Sequence, residues 1–378
     1  MLFKRIELKG KNFLLLLVKL FSKFARSAGQ EDLNQKGVDF CRIRKILVVR
    51  QDDRIGNLIL TTPLLSALRR FFPQAQIWYL ASKTFHTLFS KSRLVDRILV
   101  ARKKQYIFYP LSLVFFIRKI RKQKFDLALD ASDENNFSLN NSFLVLLSGA
   151  RLRMGYKKPK SDLFLNLEVS PSPIRKHASE MHLDLLRHLV GDFQSNGLKI
   201  EVDPEKKAVV EKYLQEKGVG AGDFLVGMHI GGRLRKRWPV ENFQKMADWI
   251  TDSFRMNLQD EFFGAKVIFI WGPEEKKAIQ NIHTERKDQI VSELFGLPVL
   301  TALIDRCNLF ISPDTGAMHL AVATGTPTLA LFLDSDPIKF GPKGKMHRTL
   351  LASGGIISVE AVKNAFQEMV KSCSMIQT

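Results

Sequence analysis

The chain has 378 residues and 43.1 kDa, 45% apolar and 25% charged, with 58 Lys and Arg against 38 Asp and Glu for a formal net charge of +20. This balance is that of a globular protein. It excludes a disordered tail, a coiled coil or a collagen-like rod, and the length points to two domains. Three scattered cysteines, Cys41, Cys307 and Cys373, argue against a disulfide scaffold or a zinc site and for a reducing compartment.

The positive excess is confined to residues 1–200, which hold 36 of the basic and 16 of the acidic residues; residues 201–378 are balanced at 22 each. Such asymmetry suits a polyanionic partner of the first half: nucleic acid, an anionic membrane or an acidic substrate. No recognition helix or RNA-binding signature occurs, which argues against nucleic acid.

Residues 1–44 form a basic extension. Phe13, Leu16, Leu17, Leu20, Phe21 and Phe24 fall at helical spacing among lysines, the pattern of an interfacial amphipathic helix. A signal peptide and a helix packed on its own domain are the alternatives.

Alternating elements then follow. Ile46–Arg50 reads as a buried first strand, 57–72 as a helix, Ile77–Leu80 and Arg97–Ala101 as strands, 111–123 as an amphipathic helix and Asp126–Ala131 as a fourth strand. The alternation pauses over 151–177, a basic stretch of weak periodicity. A helix near 178–190 and a linker, Gly191–Asp203, lead to a second series. Its strands are Phe224–His229, Lys266–Trp271, Leu309–Ser312 and Thr328–Leu333, and its helices are 240–254, 274–286 and 316–325. The order implies an α/β fold of two domains, 45–200 and 201–350, facing a cleft, with a helix in 351–378.

Neither the P-loop nor the GxGxxG fingerprint is present. Three loops at strand ends carry phosphate chemistry instead. Asp314-Thr315-Gly316 opens a helix, whose N–H groups suit an anion, although an Asp or Thr cap would look the same. Gly231-Gly232-Arg233 runs into Arg235-Lys236-Arg237-Trp238, glycines beside clustered cations that suit a diphosphate or a solvated loop. Trp271-Gly272-Pro273 is a third such loop. In the first half, Gln51–Asn57 joins strand one to helix one and offers carboxylates that could serve as a base, or merely turn residues. Asp334-Ser335-Asp336 imitates a DxD metal motif, but too little chain follows to build the fold that uses it, and Asp336-Pro337 reads as a turn.

Together, ILVVRQDDRIGNLILTTPLLSALRRFFP (46–73), FDLALD (125–130), HIGGRLRKRWPVENF (229–243), WGPEE (271–275), SPDTGAMHLAVATGTPTLALF (312–332) and DPIKFGPKG (336–344) resemble glycosyltransferase family nine, the lipopolysaccharide heptosyltransferases. The resemblance implies a GT-B fold of two Rossmann-like domains, the acceptor on the first and a nucleotide sugar on the second. It implies metal-independent, inverting transfer from ADP-heptose, with no cofactor, to a lipid-anchored saccharide at the inner face of the cytoplasmic membrane. An anionic membrane surface then becomes the expected partner of the basic half.

Carried over by residue, the resemblance assigns the donor to Asp314, Thr315, Gly316 and His319, with Gly231 and Gly232 in the loop against the nucleotide; Arg233, Trp238 and Gly272 are expected at the donor from the chemistry of their loops. Lys236 would meet the donor phosphates. Many members have Asp, the proposed base, where this chain has Asn57. A carboxamide takes no proton at neutral pH, so Asp53 or Asp52 is the expected base, with Asn57 positioning the acceptor hydroxyl.

Overall fold

The computed structural model describes residues 40–52, 54–101, 110–256, 264–283 and 285–374. The segment 1–28 read as amphipathic, the candidate base Asp53 and residues 102–109, which precede the helix expected at 111–123, lie outside them.

The first sheet contains β1 (Lys45–Val49), β2 (Gln76–Ala81), β3 (Arg97–Val100), β4 (Leu127–Asp130), β5 (Leu152–Tyr156) and β6 (Leu167–Val169), in the order β3-β2-β1-β4-β5-β6. All its pairs are parallel. Ile46, Leu47, Val48 and Val49 are wholly buried, as expected of a central strand covered on both faces by helices. Burying each such side chain contributes about 1.5–3 kcal/mol.

The helices of this half are α1 (Ile55–Ile59), α2 (Thr62–Phe71), α3 (Lys83–Phe89), α4 (Pro110–Arg121), α5 (Leu139–Leu147) and α6 (Ala178–Val190). The single helix expected over 57–72 is two, because Pro63 starts a new one and the Thr61 and Thr62 hydroxyls turn back to the Leu58 and Ile59 carbonyls. The stretch 151–177, read as a pause, holds β5 and the edge strand β6. Arg153 and Glu168 sit half-exposed there, so no continuous apolar run marks them.

After the linker come α7 (Pro204–Glu216), β7 (Phe224–His229), α8 (Val240–Met256), β8 (Ala265–Ile270), β9 (Gln289–Val291), α9 (Leu297–Arg306), β10 (Leu309–Pro313), α10 (Gly316–Thr324), β11 (Thr328–Phe332), α11 (Pro337–Phe340), β12 (Arg348–Leu351) and α12 (Val359–Ser374). The second sheet is also parallel, in the order β12-β11-β10-β7-β8-β9. The helix expected at 274–286 is replaced by two 3-10 turns, Pro273–Glu275 and Ile279–Asn281. Ile279 and Ile282, three residues apart, are the buried pair, a spacing that suits the tighter winding.

Each sheet reverses its strand order once, between β1 and β4 and between β10 and β7. Ligands of open parallel sheets bind outside the carboxyl ends of strands at such switch points. The loops 50–57, 130–134, 229–236 and 313–316 lie at those two places.

The halves touch at several points. Ile200 N–H donates to Ala323 O (3.0 Å), Lys339 pairs with Asp133 (2.9 Å), Arg175 with Asp336 (2.6 Å) and Lys343 with Glu180 (3.6 Å). The Asp336 carboxylate also caps α11, accepting from Ile338 N–H at 3.0 Å. Its role here is that of a cap and an interdomain ion pair.

Candidate functional site

The C-terminal side of the site grows from β7 and β10. Asp314 follows β10 and is held by a bond from its N–H to Leu331 O (3.2 Å). Its buried carboxylate meets Lys236 Nζ at 2.5 Å through Oδ2, and His319 Nε2 lies 3.8 Å from Oδ1. Burial pushes the His319 imidazole well below its usual value, outweighing the pull of Asp314, so the ring is neutral at physiological pH.

Thr315 occupies the N-cap position of α10, but its hydroxyl does not cap the helix. It lies 3.2 Å from both Ser312 Oγ and His229 Nδ1. The first N–H groups of α10 therefore keep their polarity at the cleft, where a helix start favours an anion. His229 is itself lowered to about 4 by burial.

Gly231 and Gly232 are buried beside this helix start, and Gly232 O accepts from Arg237 Nε at 3.1 Å. The buried Glu275 ties two loops together: Oε2 accepts from Gly272 N–H at 3.1 Å, while Oε1 meets Arg237 at 3.3 Å. Glu275 was not among the expected site residues. Its signal was the second acid of WGPEE, whose bond partner no spacing rule reveals. Arg233 is exposed at the rim, 3.7 Å from Glu274.

Trp238 is not brought into the site. It is fully buried, stacked edge-on against Phe243, and its Nε1 donates to Ile357 O at 2.8 Å. Its neighbourhood of cations disguised a core residue whose indole N–H finds a backbone partner.

The N-terminal side is the loop 50–57. Arg50, buried at the end of β1, donates to Ala131 O and reaches Asp52 Oδ2 at 3.5 Å. Asp52 Oδ1 accepts from Arg54 N–H (3.0 Å) and Nε (3.2 Å), and Oδ2 accepts from Asn57 Nδ2 at 2.5 Å. Burial would raise the Asp52 carboxyl, but the bonds from Arg54 and Asn57 and the nearby Arg50 charge outweigh it and hold it below the usual carboxylate value. Asp52 and Asn57 thus form one hydrogen-bonded unit.

This loop lies directly on the donor side. A Cβ on Gly56 would stand 2.6 Å from His319 Cδ2, and one on Gly316 would stand 2.8 Å from Ile55 Cβ. Only glycine at both positions permits that approach. A cavity of about 550 Å³ opens beside His319, between α6, the linker and the 341–344 loop, lined also by His177, Ser179, Arg187 and Lys343.

A second polar group sits at the ends of β1, β4 and β5. Lys158 Nζ donates to Ser132 Oγ (2.9 Å) and Asn136 O (3.3 Å), and Lys339 crosses from the other domain to Asp133. Burial, then the Asp133 charge, raises the Glu134 carboxyl, and Oε2 of Glu134 has no hydrogen-bond partner among the described residues. Among the described residues, no group of three His, Cys, Asp or Glu side chains could hold a metal ion.

Comparison with known proteins agrees with this layout. The model of glycosyltransferase family 9 (heptosyltransferase) matches residues 114–362. Lipopolysaccharide heptosyltransferase 3 of Escherichia coli is 24% identical over 297 residues, covering 76% of this chain and 83% of that protein. The structure of a family 9 glycosyl transferase from Veillonella parvula superposes with a TM-score of 0.77 at 24% identity, over 90% of this chain and all of that one. The E. coli heptosyltransferase WaaC with ADP superposes with a TM-score of 0.67 at 20% identity, over 86% of this chain and 99% of that one. The two sheets and the cleft are those of the GT-B fold.

Proposed function

The chain belongs to glycosyltransferase family 9, and on that premise we propose that it moves a heptose or a closely related sugar from ADP-heptose to a lipopolysaccharide core acceptor. The observation that carries this reading is the Lys236–Asp314–His319 group at the start of α10, closed over by Ile55 and Gly56 of the opposite domain. It joins a cation, a helix start and a buried carboxylate at the switch point of the second sheet. The ADP bound by WaaC, a chain of the same fold, supports an adenine nucleotide as the donor's carrier.

The reaction is a single in-line displacement with inversion. The acceptor oxygen forms a bond to the anomeric carbon as that carbon's bond to the diphosphate breaks, and the electron pair leaves with the nucleotide. Asp52 takes the acceptor proton, and Asn57 fixes the orientation of its carboxylate. The charge growing on the diphosphate is met by Lys236 and the N–H groups opening α10. These residues meet that charge without a metal ion. Asp314 orients Lys236 and offers its remaining oxygen to a sugar hydroxyl. The neutral His319 packs the interdomain contact without adding charge.

The acceptor side is the polar group at Arg50, Lys158, Glu134 and Lys339, at the carboxyl edge of the first sheet. Its cations suit an acidic or phosphorylated saccharide. No described helix is long and apolar enough to cross a membrane. A lipid-anchored acceptor would be met at the inner face of the cytoplasmic membrane.

A second reading, a family member that binds nucleotide sugar without turning it over, is favoured by Asn57 alone. Purified protein given ADP-heptose and a heptose-deficient acceptor separates the two: release of ADP matched by elongated acceptor supports transfer, whereas tight donor binding with neither product supports the inactive binder.

A further inference from the structure

The outward face of α4 is unlike any other helix surface described. Leu111 is 72% exposed, Phe115 66% and Val114 42%. Single exposed apolar residues are ordinary, but three within two turns form a patch. Arg118, Lys119 and Lys122 are exposed as well. At about 100° per residue, positions 111, 115, 118 and 122 fall on one line, with 114 and 119 beside it. Ile120 and Phe116 point the other way, into the cluster around Trp78 and Phe125 that holds the helix to its sheet.

The exposed ridge is therefore apolar at its first turns and cationic at its last. No acid occurs from 110 to 125. Arg118, Lys119 and Lys122 have no ion-pair partner among the described residues. A protein partner would have to match an apolar tip and a row of cations in one register. An anionic bilayer supplies both at once: headgroup phosphates, and an acyl boundary a few ångströms below them.

Topology fixes which end faces where. β3 and β4 run parallel to β1 and β2, so the helix between them runs antiparallel, and its apolar first turn lies at the carboxyl edge of the sheet. That edge also carries the loop 50–57 and the polar group at Lys158 and Glu134.

We propose that the ridge of Leu111, Val114, Phe115, Arg118, Lys119 and Lys122 docks on an anionic phospholipid surface, its apolar tip in the headgroup–acyl boundary, and so turns the acceptor edge of the first domain toward the bilayer. The meaning of that orientation rests on the proposed transfer to a lipid-anchored saccharide; the docking itself does not.

The test uses the full chain in flotation with vesicles of phosphatidylglycerol and phosphatidylethanolamine, against phosphatidylcholine vesicles. Wild type is expected to prefer the anionic vesicles and to lose binding as salt rises. Leu111→Ser/Phe115→Ser and Arg118→Gln/Lys119→Gln/Lys122→Gln are each expected to lose about tenfold or more in vesicle affinity. Both variants should keep transfer to a soluble, deacylated acceptor within about twofold, since neither touches the site. Phe115→Trp, which keeps the apolar tip, should show fluorescence quenched by brominated lipid beyond that of wild type. Wild-type affinity in both multiple variants, no preference for anionic vesicles, or an unquenched Trp at 115 would each overturn the proposal. Vesicle binding that depends on the ridge in a chain with no transfer would remove the proposed reaction and leave the docking standing.

Discussion

Gly56 and His319 meet across the interdomain cleft so closely that a single added methyl would lie 2.6 Å from the imidazole Cδ2. The ring is buried and its Nε2 faces Asp314, so it cannot swing aside without disturbing the donor group. A second contact of this kind, Gly316 against Ile55, sits one turn away. Gly56→Ala and Gly316→Ala should therefore force the two halves apart at the site, an overpacking cost of about 1–3 kcal/mol. Transfer should fall at least tenfold (~1.4 kcal/mol of barrier) while far-UV circular dichroism is kept. Wild-type rates in both variants would mean that the closed contact is not the working geometry.

Lys236 carries the next expectation. Its ammonium faces the carboxylate of Asp314, two residues before the start of α10, at 2.5 Å. Lys236→Ala should lower kcat by about 10²–10³-fold, the usual effect of removing one donor to developing charge. Because the additional charge on the leaving diphosphate develops only in the transition state, KM for the donor should change less than kcat. A change confined to KM would reduce Lys236 to a ground-state contact.

Asp52 and Asn57 test the relocated base. Asp52→Asn should cost about 10²–10⁴-fold in kcat. Asn57→Asp would set two carboxylates where a 2.5 Å donor bond now stands, and like charges that close raise the pKa of one of them. The acid limb of the pH–rate profile should then move to higher pH. An unmoved limb, with Asp52→Asn still active, would place the base elsewhere.

The buried histidines set the acid limit of stability. Burial lowers His177 to about 4, lowers His182 well below its usual value and moves His319 the same way. The unfolded chain protonates each near 6.5. As pH falls from about 6.5 toward 4, the unfolded state binds more protons than the folded one, and stability declines. His177 alone would account for a loss of roughly 3 kcal/mol across that window. Its ring caps α6 by accepting from Ser179 N–H, a role Asn can fill. His177→Asn should flatten the dependence of the thermal midpoint on pH between 6.5 and 4, and an unchanged slope would refute the assignment.

Legibility in the sequence followed burial. β1, β7, β10 and β11 are central and covered on both faces, so their residues form uninterrupted apolar runs. β5, β6 and β9 lie at or near sheet edges with mixed exposure, and no such run marks them. At the site, the Asp314–His319 segment could be read because a strand, a glycine and a helix start are consecutive in the chain. Glu275 and His229 could not, since each acts through a residue distant in sequence: Arg237 for the one, Thr315 for the other. Trp238 misled because composition places it among cations, while only packing shows that its indole faces Ile357.

The most direct test of the central claim is mass spectrometry of a heptose-deficient lipopolysaccharide acceptor after incubation with the purified chain and ADP-heptose, with ADP release followed in parallel. The account predicts acceptor longer by one sugar residue, ADP in equal amount, and about a hundredfold less of both with Asp52→Asn. ADP-heptose that binds yet yields neither elongated acceptor nor ADP would contradict it.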